Sequence, residues 1–190
     1  MLSELLATPG VDEVHDEGST IGVMALHGGL ELGTYEIAQA VAGASGATMY
    51  AVVQPEEMRW HIPSISYDPS DSRHLRSFLA HVNVALSIHG FGRHGMRRTA
   101  LIGGRNRTLG RRVAAALGRA LDLRAVTDPD SIPAGLRGLH PDNPVNLPRR
   151  HGVQVELTAD LRRGPVIAVI GRALAGALDP TPVAATAAAG

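Results

Sequence analysis

At 190 residues the chain fits a single domain of the usual ~100–200 residues, and an apolar fraction of 44% is enough to bury a core. Eighteen cationic and 18 acidic side chains leave no formal net charge, which excludes bulk electrostatic attraction to nucleic acid or an anionic membrane. Cysteine is absent and every cation is Arg, so disulfides, thiolate metal sites, Cys nucleophiles and Lys Schiff bases are excluded, leaving His and carboxylates as the strong metal ligands.

The opening residues carry Glu4, Asp12 and Glu13 without a basic stretch, so no signal peptide is read there. No apolar run reaches the roughly 18 residues of a membrane span, and a cytoplasmic location, compatible with release by lysis, is the expectation. Residues 21–26 (IGVMAL) form a short apolar run typical of a strand covered on both faces, and it ends in His-Gly-Gly. Residues 34–44 read as a helix capped by Thr34, and residues 47–53 as a second strand. A Pro/Ser/Asp-rich loop over 63–72 leads into a helix over 71–82, with Leu75, Phe78, Leu79 and Val82 on one face. Residues 83–88 read as a strand ending in His-Gly, and 99–102 as a brief strand entering Gly103-Gly104. A helix over 108–121, a strand over 123–126, a Pro/Asn-rich loop over 140–151 and a strand over 152–157 follow. Residues 166–178 read as a closing helix, although the β-branched start (VIAVI) also suits a strand, and 179–190 as an Ala/Pro-rich disordered tail beyond a domain over 1–178.

Strands alternating with helices predict an α/β fold, a single domain with an open mixed, largely parallel sheet and flanking helices. Active sites in such sheets collect beyond the carboxyl ends of the strands. His27, His89 and Gly103-Gly104 each follow a predicted strand, which predicts three polar clusters on one rim. His27 and Glu31 lie four apart on a loop with two glycines, and His89 is the distant partner. Three such ligands with one open position make a catalytic metal site, and an all-His/carboxylate set suits Zn²⁺ best. Glu156, in Gly-Val-Gln-Val-Glu-Leu, reads either as a buried general base or as the exposed face of a strand alternating with Gln154. Gly103-Gly104-Arg105-Asn106-Arg107, with Arg97 and Arg98 nearby, offers an anion cradle and hints at a carboxylate-bearing substrate. His61 and His140 are placed to touch substrate; His15, His74, His81, His94 and His151 read as surface or loop residues.

Four motifs occur in order: AlaLeuHisGlyGlyLeuGluLeuGlyThrTyrGluIleAla (25–38), LeuSerIleHisGly (86–90), IleGlyGlyArgAsn (102–106) and GlyValGlnValGluLeuThrAlaAspLeuArg (152–162). Together they resemble the phage-type poly-γ-glutamate hydrolase family, whose fold is similar to zinc carboxypeptidases. The resemblance implies Zn²⁺ on His27, Glu31 and His89, with Glu156 as the catalytic carboxylate. It places Arg105 and Arg107 in the segment that would polarise the carbonyl, without choosing between them. Carboxypeptidases show His-x-x-Glu, whereas His27 and Glu31 stand as His-x-x-x-Glu, which favours the hydrolase kinship. The implied substrate is an acidic amide polymer or a small carboxylate-bearing amide, its carboxylates meeting Arg59 or Arg98. Two alternatives stand beside it: an amidohydrolase of N-acyl amino acids or peptidoglycan stems, and a non-catalytic module binding an acidic polymer.

Overall fold

Alternating apolar runs and amphipathic helices build a three-layer α/β sandwich in the computed structural model. Residues 1–179 are described; apart from Asp179, the tail expected over 179–190 lies outside them. The elements in chain order are α1 (Leu2–Leu6), β1 (Asp12–Asp16), β2 (Ser19–Gly28), α2 (Thr34–Ser45), β3 (Ala47–Val53), α3 (Arg73–His81), β4 (Val84–Phe91), β5 (Thr99–Ile102), α4 (Arg107–Ala120), β6 (Arg124–Val126), β7 (Gly152–Thr158) and α5 (Val166–Leu178). Seven strands form one sheet in the order β1-β3-β2-β4-β7-β5-β6. β2, β3, β4 and β7 run parallel, β5 runs antiparallel to β7 with β6 parallel to β5, and β1 is an antiparallel edge.

The strand alternation divides the core. Val23, Ala25, Leu86 and Val155 pack under α2, α4 and α5, where Ile37, Val41, Val113, Leu117, Ile170 and Leu174 are buried. Met24, Leu26, Tyr50 and Val52 face the other way onto α1 and α3, against Leu2, Leu5, Leu75 and Phe78. The run VIAVI is helix because Ile170 and Leu174, one turn apart, share the buried face of α5. Ser72 caps α3 by accepting from Leu75 N–H at 2.9 Å, a contact worth about 1 kcal/mol. Its hydroxyl also donates to Glu13 Oε1, which accepts from Tyr50 Oη at 2.8 Å, and so α3 is tied to β1 and β3.

Two features decide where the site forms. β2 carries three steps from Ala25 to Gly28 against two in β3, from Ala51 to Val53. One extra residue reverses the side-chain alternation and turns His27 toward Ile62 and Tyr67, on the α3 side of the sheet. The second is the direction of β5, which overturns the expectation of three clusters on one rim. Because β5 is antiparallel to β7, its carboxyl end lies at the opposite rim: Asn106 N–H donates to Gly152 O at the start of β7. Asn106 also shares a cavity with Ile21 and Val84, at the amino-terminal ends of β2 and β4. Only the His27 and His89 clusters therefore converge. No helix among the described residues is long and apolar enough to cross a membrane.

Candidate metal centre and active site

His27 and His89 sit near the carboxyl ends of adjacent β2 and β4, inside the strands rather than after them as expected. His27 Nε2 lies 2.8 Å from the Ile62 carbonyl. A carbonyl only accepts, so Nε2 carries the hydrogen when the ring is neutral and Nδ1 keeps a lone pair facing inward. His89 Nε2 is held at 2.8 Å by Ser87 Oγ, and its Nδ1 lies 3.3 Å from His27 Nδ1. Glu31 completes the cluster. The chain turns tightly after β2, Glu31 N–H donating to His27 O at 2.8 Å. Gly29, at φ +75°, allows the turn, since a Cβ there would fall 1.8 Å from Gln54 O. Glu31 Oε1 is 3.0 Å from His27 Nδ1 and Oε2 accepts from Gly90 N–H at 2.8 Å.

The ligand atoms of His27, Glu31 and His89 all lie within 4.8 Å of one another. Two inward nitrogens with outward hydrogen bonds, plus a carboxylate, form a donor set that fits a divalent metal; the outer contacts fix the ring orientations. Burial and mutual contacts shift the pKa of all three groups. Burial pushes His89 down to about 4, against the pull of Glu31. Burial also opposes charge on His27, but the hydrogen bond and charge of Glu31 and the Ile62 carbonyl raise its pKa overall. Glu31 resists burial in the same way and is lowered by His27, His89 and the Gly90 N–H.

Glu156 stands beside this cluster because β7 pairs with β4 in a register that sets Glu156 opposite His89. The buried reading of Glu156 holds, with 4% of the residue exposed. Gln154 Nε2 donates to its Oε1 at 2.8 Å, and Asn143 Nδ2 anchors Gln154 at 2.9 Å. Burial, then the negative charge of Glu31, lifts the Glu156 pKa to about 8, against the opposing Gln154 contact and Arg162. His27, Glu31, His89 and Glu156 open onto one cleft of about 450 Å³, walled by His61, His140 and the exposed Ile65 and Leu139. His61 packs against His27 at a tilt of 44°, with ring centroids 4.7 Å apart.

The predicted arginines do not line this cleft. Arg105 N–H donates to Asn146 Oδ1, Asn106 caps α4 through Leu109 N–H, and Arg107 donates to the carbonyls of Ile102 and Thr127. These three residues serve the opposite rim, a consequence of the reversed β5. Arg98 donates from Nε to Asp122 O at 2.5 Å, and Arg59 is exposed outside the cleft. Arg162 is the cation missed in sequence. It donates to Leu157 O at 3.1 Å and to Leu32 O, and lies close enough to Glu31 and Glu156 to feel both charges. Its guanidinium lies on Gly90, where a Cβ would fall 2.4 Å from Cζ. Its sequence signal was its place as the last residue of the fourth motif, just beyond β7 and beside Arg163.

The same fold is found elsewhere. Residues 4–165 match the family described as poly-gamma-glutamate hydrolase. The chain belongs to that family. A solved structure of a bacteriophage poly-gamma-glutamate hydrolase superposes with a TM-score of 0.78 at 20% identity, covering 93% of this chain and 92% of the other. A structure of YNDL in a zinc-free apo form gives 0.76 at 20% identity, covering 89% of each chain. No curated protein matches the sequence. At that identity the likeness to solved structures establishes the shared fold; membership of the poly-gamma-glutamate hydrolase family rests on the match over residues 4–165, and it makes the chain a member of a hydrolase family with a candidate His27/Glu31/His89 metal site.

Proposed function

We propose that the protein is a zinc-dependent hydrolase of γ-glutamyl amide bonds in poly-γ-glutamate or a similar carboxylate-rich amide. The observation that carries this reading is the register of β4 and β7, which sets the buried Glu156 carboxyl opposite His89 and into the same cleft as all three candidate ligands.

His27 Nδ1, His89 Nδ1 and a Glu31 oxygen would hold the ion. When bound, zinc supplies a Lewis acid that polarises the amide carbonyl and acidifies water beside it. Glu156 does the proton work. Its carboxylate takes a proton from the attacking water and returns it to the leaving amine nitrogen as the C–N bond breaks. A pKa of about 8 makes the protonated form a competent acid near neutrality, and a nearby dication favours the carboxylate needed for the first step. Arg162, rather than Arg105 or Arg107, is the cation nearest both carboxylates. Because it does not line the cleft, it acts as a positioning residue, holding the Leu32 carbonyl and hence the loop that bears Glu31. His61 and His140, on the cleft walls, contact the substrate.

Glu156→Gln keeps the shape of the side chain and the hydrogen bond from Gln154 while removing the base. The variant is expected to bind zinc as wild type does and to lose cleavage of γ-glutamyl polymer by at least about 100-fold. Undiminished cleavage would remove Glu156 from the mechanism, and cleavage of N-acyl amino acids in preference to the polymer would change the substrate.

A further inference from the structure

An extended γ-glutamyl chain presents a free carboxylate on every residue, yet no arginine lines the cleft that holds Glu156. The same rim carries a second cavity, of about 310 Å³, lined by Arg93, Arg97 and Arg163, with Asp160 the only acidic residue on its wall. The Asp160 carboxylate is already engaged, accepting from Arg98 N–H at 2.9 Å. Arg93, Arg97 and Arg163 are exposed, and none has a carboxylate within salt-bridge distance among the described residues. Arg163 donates from Nε to Ala159 O at 3.0 Å and Arg97 is near enough to Asp160 to lower its pKa, but the three side chains otherwise present their charge to solvent in a protein with no net charge.

The two cavities are successive stations along the same strand pair. His89 pairs with Glu156 at the cleft, and two residues on, Phe91 pairs with Thr158; both line the arginine cavity. Two strand residues cover about 7 Å, close to the roughly 6 Å spanned by one extended γ-linked residue. Phe91 forms the partition. It packs in a small apolar cluster with Leu101, Ile132 and Leu136, and Leu136 is on the wall of the cleft.

We infer that the Arg93/Arg97/Arg163 cavity is a distal subsite, binding carboxylates of an anionic amide polymer one or more residues away from the bond at Glu156. This rests on the γ-glutamyl reading and deepens it. Guanidinium groups suit the task because their planar donor forks match carboxylates, and exposed pairs remain weak enough for a polymer to slide and release. The subsite would confer a preference for length and a dependence on salt, since exposed ion pairs are screened.

The test is binding of fluorescent γ-glutamyl oligomers to the full chain carrying Glu156→Gln and its metal, using one probe that fills only the cleft and one several residues longer. Three exposed ion pairs together predict about tenfold tighter binding of the longer probe at low salt, a gain that disappears in R93Q/R97Q/R163Q. A control triple, R73Q/R76Q/R119Q, removes the same charge elsewhere and should preserve the gain. Equal affinity for both probes, a gain that survives R93Q/R97Q/R163Q, or a gain lost equally in the control would overturn the subsite while leaving the γ-glutamyl reading intact. Failure of both probes to bind would overturn the γ-glutamyl reading itself, and the subsite with it.

Discussion

Replacing Glu156 by Gln should stabilise the metal-free protein, and should do so only at neutral and alkaline pH. The Glu156 pKa rises from 4.5 to about 8 on folding, chiefly through burial and then through the charge of Glu31. A raised folded pKa means that the native state holds the proton more tightly than the unfolded chain. The resulting stabilisation is complete below the unfolded pKa and is lost as pH climbs through the folded one. At 1.36 kcal/mol per unit, the shift sets a ceiling of about 5 kcal/mol, which water entering the cleft reduces, so about 2–4 kcal/mol is expected. Gln cannot ionise, and its Oε1 still accepts from Gln154. Urea unfolding of chelator-treated wild type and E156Q should therefore give similar stabilities near about pH 4.5 and a widening gap in favour of the variant up to about pH 8.5. A gap that stays constant over that range would refute the burial argument for Glu156.

Zinc should stabilise the wild type by about 2.7 kcal/mol at 100-fold excess over Kd, raising Tm by roughly 5–10 °C in a thermal scan, and H89A should abolish the rise. His27, whose pKa is raised by Glu31 against its burial, must give up its proton to bind metal. Zinc affinity measured by chelator competition should accordingly fall about tenfold per unit once pH drops below that pKa; an affinity flat with pH would count against His27 as a ligand. Gly90→Ala places a methyl 2.4 Å from Arg162 Cζ. Because the contact falls on the end of a flexible side chain, the guanidinium is expected to swing aside at about 1 kcal/mol or less, visible as a slightly lower Tm, and to release the Leu32 carbonyl, which weakens metal binding through the loop that bears Glu31. A variant identical to wild type in both would deny Arg162 a positioning role.

Much of the fold was legible because the central strands are short apolar runs that end abruptly in His-Gly. That signature placed His27 and His89 at one rim, and the tight Gly-Gly turn brought Glu31 back to them. Strand direction was not legible. Four residues, 99–102, are buried on both faces whichever way they run, so nothing in them betrays that β5 is reversed, and the anion cradle was assigned to the wrong rim. β1 was missed because Asp-Glu-Val-His-Asp is a charged edge strand with little apolar content, and α1 because five residues span little more than a turn. The two readings of Glu156 could not be separated locally. Gln154 and Glu156 share a face under either, and only the neighbouring β4 and the 134–143 wall show that this face is buried. Arg162 escaped notice because its role comes from the distant Leu32 carbonyl and Gly90, neither of which its own sequence neighbourhood reveals.

In the proposed function, one dication on His27, Glu31 and His89 would make this cleft a γ-glutamyl amidase. Viscometry of a poly-γ-glutamate solution mixed with metal-stripped protein tests it directly as zinc is titrated in. No loss of viscosity is expected before zinc, followed by a rate that rises to saturation at one ion per chain. Full activity in the stripped protein, or none at any zinc level, would contradict it.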